Sequence, residues 1–319
     1  MKPCARKNLG DAERSHAEPR RTELNRTRPG SARGFVLSVV SIVFRGKRSG
    51  QAALLALAVL PAATQAQKQP DTVFLEDLTW VEVRDLIGAG KTSVIIGTAG
   101  TEQKGPHMAI GEHKFVLEHT TDKIARALGN ALVAPIITYV PEGSWETREG
   151  HMSKAGTITL PNDRFMVLLE HTARSLKAGG FKDIIFIGDS GGNQNGMRDL
   201  ATKLNTEWRG SGYRAHFIGD YYTKSSTDAR KYITDQLKIP AADIGNHAGM
   251  VDTSELMYVN PNHVRLNKRA PGGGSADSGV SGDPTKATAE LGKIIVEIKI
   301  NNALAQIRAS LAAREGGTK

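Results

Sequence analysis

Along residues 78–319 the chain alternates between two hydrophobic rhythms. Short apolar runs at 93–97, 132–140, 184–187 and 213–219 predict buried strands, and 156–160 predicts a shorter one. Between them, apolar residues recur at spacings of three and four. That period predicts helices over 78–89 (Leu78, Val81, Leu86, Ile87), 115–132 (Val116, Ile124, Ala127, Leu128), 165–178 and 197–208 (Met197, Leu200, Ala201, Leu204, Trp208). Two more are predicted over 227–237 and 288–314 (Leu291, Ile294, Ile295, Ile298, Leu304). Asn162 or Asp163 is the expected N-cap of the 165–178 helix, and Gly179-Gly180 is its C-terminal stop. Strands separated by helices predict an α/β fold, a mostly parallel sheet covered on both faces, in one domain of about 250 residues. The Gly/Ser-rich stretch 270–284 reads as a loop. Its Gly272-Gly273-Gly274 has no strand before it and no Gly-Lys-Ser/Thr after it, so it is not a phosphate cradle.

Charge changes the picture at the N-terminus. The formal net charge of +9 suggests nucleic acid as a partner, but residues 1–66 hold 12 basic and 4 acidic residues, a net of +8. The remainder holds 30 basic and 29 acidic residues, a net of +1, which removes the case for nucleic-acid binding. Arg45-Gly46-Lys47-Arg48, the apolar run 52–60 and the small residues Ala62-Ala63-Thr64-Gln65-Ala66 together read as a secretory signal peptide cut after Ala66. The expected product is exported, periplasmic or secreted. The apolar run is too short to leave a stable membrane span in the mature chain. Residues 1–44 are explained by a start assigned upstream of the true one; the alternative is a two-part anchor that also uses 34–44. Residues 67–77 read as a linker and 78–319 as the domain. The only cysteine, Cys4, lies in the leader, so the exported chain has no disulfide or thiol chemistry.

The stretch Ile184-Ile185-Phe186-Ile187-Gly188-Asp189-Ser190-Gly191-Gly192-Asn193 delivers a polar turn to the carboxyl edge of the sheet, where ligands bind in open α/β folds. Gly188-Asp189-Ser190-Gly191-Gly192 fits the G-x-S-x-G nucleophile elbow, with Asp243 or Asp252 and His263 available as partners for Ser190. No separate oxyanion-loop signature accompanies it, and the bland reading is a glycine turn packed against a neighbouring loop.

Three stretches taken together support a different reading: Glu102-Gln103-x-Gly105-Pro106-His107, Gly191-Gly192-Asn193, and His247-Ala248-Gly249-x-x-Asp252-Thr253-Ser254. With His151, Gly156-Thr157-Ile158-Thr159-Leu160 and Gly279-Val280-x-Gly282-Asp283-Pro284, this order resembles the creatininase (creatinine amidohydrolase) family. The resemblance implies a three-layer α/β/α sandwich, often a hexamer, in which two divalent metals serve hydrolysis of a small-molecule, non-peptide C–N amide. It also exposes departures. Glu102 is kept, but Lys104 stands where a ligand His is expected, and His113 stands where a bridging Asp is expected. Ser190 replaces the turn histidine, and Asp252 replaces a Glu. An ammonium is not a metal ligand at pH 7. Three readings follow. One ion, zinc or manganese, is held by Glu102, His113 and Asp189. Alternatively no metal is held, and catalysis passes to Ser190 or to the Lys104–Glu102–His113 group, with His247 and Asp252 as further catalytic candidates. Finally, the pocket binds a small ligand without turning it over.

Overall fold

The computed structural model describes residues 70–316. The leader and its signal-peptide reading lie outside the described residues.

Nine residues from Trp80 to Gly88 form α1, opened by a capping box: the Thr79 hydroxyl accepts from the Glu82 amide while the Glu82 carboxylate accepts from the Thr79 amide. β1 follows as Ser93–Thr98, buried at every position. α2 is Glu112–Leu128, ended by Gly129 in the left-handed conformation at φ 79°. It begins a turn earlier than the periodicity predicts, which places Glu112 and His113 at the sheet edge. β2 is only Ala131–Val133. The strand expected over 132–140 breaks because Pro135 has no amide to give the ladder, and beyond it only Ile137 bridges to Thr98. The two-residue strands β3 (Gly143–Ser144) and β4 (Glu149–Gly150) make a small hairpin. The expected strand at 156–160 reduces to one antiparallel bridge between Ile158 and Thr101.

α3 is Asn162–Ala178; Pro161 occupies its N-cap and neither Asn162 nor Asp163 caps it. β5 is Asp183–Gly188 and α4 is Gln194–Glu207. β6 (Arg214–Phe217), α5 (Thr223–Asp235), the single turn α6 (Ala241–Ile244), α7 (Met250–Val259) and α8 (Ala289–Gly316) complete the chain. The four main strands are all parallel, in the order β2-β1-β5-β6.

Strand alternation sorts the core into two faces. Val94, Ile96, Ile184 and Phe186 pack with Phe165, Leu169, Leu200 and Leu204 of α3 and α4. Ile95, Ile185 and Ile187 pack with Leu117 and Ile124 of α2 and with Ala303 and Ile307 of α8. This is the three-layer α/β/α arrangement with a mostly parallel sheet. The stretch read as a linker joins it: Val73 is buried and accepts a hydrogen bond from the Val133 amide. No helix among the described residues is long and apolar enough to cross a membrane.

Candidate active site

At the carboxyl ends of β1 and β5 lies a cavity of about 530 Å³. The loop after β1 brings Glu102 and Lys104, the first turn of α2 brings His113, and the end of β5 brings Asp189 and Ser190. His151 comes from the loop after β4, His247 and Asp252 from the start of α7, and Lys299 from α8.

Two buried lysines organise these groups. Lys104 Nζ lies 3.1 Å from Glu102 Oε1, 3.1 Å from Glu112 Oε2 and 3.0 Å from Asp252 Oδ2. Lys299 Nζ lies 2.7 Å from Asp189 Oδ1 and 2.8 Å from Glu255 Oε1. His113 joins the two clusters: its Nε2 is 2.8 Å from Glu102, and its Nδ1 is 3.1 Å from Glu112 and 3.4 Å from Asp189.

Charge states follow from these neighbours. Burial opposes ionisation of Lys104, but Asp252, Glu112 and Glu102 outweigh it and hold the ammonium well above its ordinary pKa. Burial likewise opposes the Glu102 charge, and Lys104 with His113 overcomes it, leaving that carboxyl ionised. Asp189 is kept ionised against burial by Lys299 and His113, and Asp252 by Lys104. His113 is raised by its carboxylates in spite of burial and Lys104, so it is an imidazolium donating from both nitrogens. Burial pushes Glu142 up to about 9, helped by its hydrogen bond to Glu102, and pushes Glu255 up to about 8. Gly100 makes the Glu102–Glu142 approach possible, because a Cβ there would collide with the Glu142 carboxyl. Three cations, Lys104, Lys299 and His113, thus face three firm anions, Glu102, Asp189 and Asp252.

Among the described residues, two groups of side chains converge closely enough to hold an ion: Glu102 with His151 and His247, and Glu112 with His113 and Asp189. The second does not fit, because His113 has no lone pair left and Asp189 is taken by Lys299. The expected set Glu102–His113–Asp189 is therefore assembled in space but bonded internally, with His113 as a cation. The first group does fit. Glu102 Oε2 is buried, 3.1 Å from His151 Nε2. The rings of His151 and His247 lie 4.4 Å apart. Burial, reinforced by Lys104, lowers His247 to about 4, and burial lowers His151 as well, so both are neutral imidazoles at pH 7. His247 Nε2 donates to the Gln103 carbonyl at 2.8 Å, which leaves its Nδ1 lone pair toward Glu102, 3.7 Å away.

The serine arrangement is not assembled. Ser190 lines the cavity in ordinary extended backbone at φ −134°, with no hydrogen bond to a histidine among the described residues. Asp243 is paired with Lys286 and His263 packs on the Phe115 ring at 4.3 Å; neither lines the cavity. Asp252 is committed to Lys104 and to the Ala248 amide. Tyr221 is core, bonded to Thr120, Trp145 is exposed away from the cavity, and Tyr222 is the aromatic that lines it.

Sequence reasoning gave His151 no site role and missed Glu112, Glu142, Glu255 and Lys299. One signal was available for Lys299: it falls on the stripe Ile295, Lys299, Ala303, Ile307, at steps of four along a buried helix face.

A family model described as creatinine amidohydrolase (creatininase) matches residues 76–307. Curated relatives include the mycofactocin precursor peptide peptidase of Mycobacterium ulcerans (strain Agy99), 27% identical over 248 residues, 67% of this chain and 84% of that protein. Its counterpart in Mycolicibacterium smegmatis (strain ATCC 700084 / mc(2)155) is 24% identical over 245 residues, 70% of this chain and 87% of that one. Among solved structures, a crystal structure of creatinine amidohydrolase (creatininase) superposes with a TM-score of 0.61 at 20% identity, over 76% of this chain and 98% of that one. A mutant creatininase of Zn-Zn type superposes with a TM-score of 0.62 at 19% identity, over 76% and 99%. At such identities the superpositions establish the fold, and the matched family model, which spans most of the described residues, establishes descent: the chain belongs to the creatininase family.

Proposed function

We propose that the protein hydrolyses an amide C–N bond in a small substrate, a short peptide or peptide-like amide, with one divalent ion held by Glu102, His151 and His247. The convergence of the Glu102 carboxylate with two neutral imidazoles carries this reading. Two imidazoles and a carboxylate suit zinc or manganese, and a bound ion supplies Lewis-acid polarisation of the scissile carbonyl. Support for a peptide-like substrate comes from the relatives named as peptide peptidases and from the cavity volume of about 530 Å³. The alternative implied by the family resemblance, a small non-peptide amide, fits the same volume and is separated by assay.

The chain's own residues divide the remaining work. Lys104 and His113 bind Glu102 Oε1, so Oε2 points to the ligand position. The Gln103 carbonyl fixes the His247 tautomer. Glu142, raised to about 9, still holds its proton at pH 7 beside Glu102 and is placed to give it to a leaving amine nitrogen. Ser190 contributes cavity wall.

Metal analysis of the purified protein beside Glu102→Gln and His247→Ala tests the reading. About one ion per chain is expected, with affinity lower by at least about tenfold in both variants, together with turnover of short peptide amides. A metal-free wild type, or variants that bind as tightly as wild type, would sink it. Ser190→Ala is expected to change kcat by less than about threefold, since no base reaches that hydroxyl.

A further inference from the structure

We propose that Lys104 and Lys299 are built-in replacements for metal cations: each ammonium fills a carboxylate cage that would otherwise take a divalent ion, so the pocket holds one exchangeable ion and no second. The inference takes its baseline of one ion from the proposed function and is read from differences between variants.

The Lys104 cage has the form of a cation site. Oxygens of Glu102, Glu112 and Asp252 come from the loop after β1, from α2 and from α7, and converge on one point at 3.0–3.1 Å. The ammonium donates a hydrogen bond to Asp252 and makes close ion pairs with Glu102 and Glu112. Lys104 is 1% exposed, so its ammonium occupies the point where the oxygens converge. Oxygen ligands approach zinc at about 2.0–2.2 Å, so an ion and Nζ exclude one another.

Lys299 repeats the arrangement on the other side of His113. It rises from an otherwise apolar helix stripe to reach Asp189 and Glu255 at 2.7 and 2.8 Å. A lysine on that stripe has an obvious cost, because its charge must leave water, and only the buried carboxylates offset it. Asp189 in turn is kept ionised in the interior by Lys299 and His113. The creatininase of Zn-Zn type bears two ions on this fold; here the compensating charge is attached to the chain. A tethered ammonium is indifferent to chelators and to metal supply, and it offers no coordination position to a substrate. It holds the carboxylates in place, and the open Glu102–His151–His247 position is left for the exchangeable ion.

The test strips wild type, Lys104→Gln, Lys299→Gln and the charge-matched pair Lys104→Gln/Asp252→Asn with a chelator. Each is then dialysed against zinc and, separately, manganese, and assayed for bound metal and Tm. Wild type is expected to bind about one ion per chain and each single variant about two, with the stripped single variants melting below wild type and regaining more Tm on adding zinc than wild type does. The charge-matched pair, with one anion fewer, is expected to gain no extra ion. Single variants that bind no more metal than wild type overturn the proposal, as do variants that stay unfolded at saturating metal, since the cage would then need the shape of lysine rather than its charge. A wild type that already binds two ions overturns it as well. A wild type that binds none refutes the one-ion function instead, and the proposal then stands on a gain from none to about one in the single variants.

Discussion

His113 and His107 are almost equally removed from water, at 8% and 0% exposure, yet they hold opposite charge states at pH 7. His113 is surrounded by carboxylates. His107 has Thr253 at 2.9 Å on Nε2 and no partner on its buried Nδ1; burial first and Arg269 second push it down to about 4, with Asp252 opposing weakly. Its folded pKa lies below the unfolded value of about 6.5, so the unfolded chain takes up this proton first. The resulting stability is fully present above about pH 6.5 and is lost as pH falls toward 4. Tm recorded from pH 7 to 4 for wild type and His107→Gln should show a smaller acid-side loss in the variant; identical slopes would refute the assignment. The family-like motifs made Glu102, Lys104, His247 and Asp252 legible in the sequence, because each stands at a motif position. Glu112, Glu142 and Lys299 were not, since what defines them is proximity across 8 to 110 positions of chain, of Glu112 to Lys104, Glu142 to Glu102, and Lys299 to Asp189 and Glu255.

At the scale of elements, α7 and α8 set the depth of the site. Gly292 of α8 packs so closely on α7 that a Cβ would collide with the Ser254 carbonyl and the Glu255 amide. That approach brings Lys299 under Glu255 and holds Asp252 toward Lys104. Gly292→Ala must push the helices apart, at a cost of about 1–3 kcal/mol, and should weaken metal retention along with Tm. An unchanged Tm in thermal unfolding would show that the contact relaxes freely. α8 is also tied to the sheet by a chain of contacts from Ser310 to His216 to Asp183, at 2.7 and 2.9 Å. The chain resembles a catalytic triad in composition, but none of its members lines the cavity, and it satisfies polar groups buried between β5, β6 and α8. The elements themselves were largely readable: both long strands and the helices α1, α3, α4 and α8 lie where periodicity places them. The misses have local causes. Pro135 interrupts the second strand, Pro161 displaces the polar cap of α3, and α7 has apolar residues on several sides, so no single stripe marks it.

For the whole molecule, charge is divided along the chain while apolar burial is not. Residues 1–66 bear a net +8 and the rest +1, and the buried apolar core of the described residues begins at Val73. The domain is nearly neutral overall, its two buried lysines have carboxyl partners, and no strong net charge is left to build a steering surface field. Such a domain does not need residues 1–66 to balance its charge. Removal of the leader after Ala66 is therefore expected to yield an exported protein that begins at Gln67 and contains no cysteine, unaffected in Tm by reductant. N-terminal sequencing of the protein recovered from the producing cell, with fractionation of periplasm and medium, decides the matter. A terminus at Gln67 in either fraction supports export, whereas an intact Met1 in the cytoplasm would refute it and return the basic leader to the list of possible binding segments.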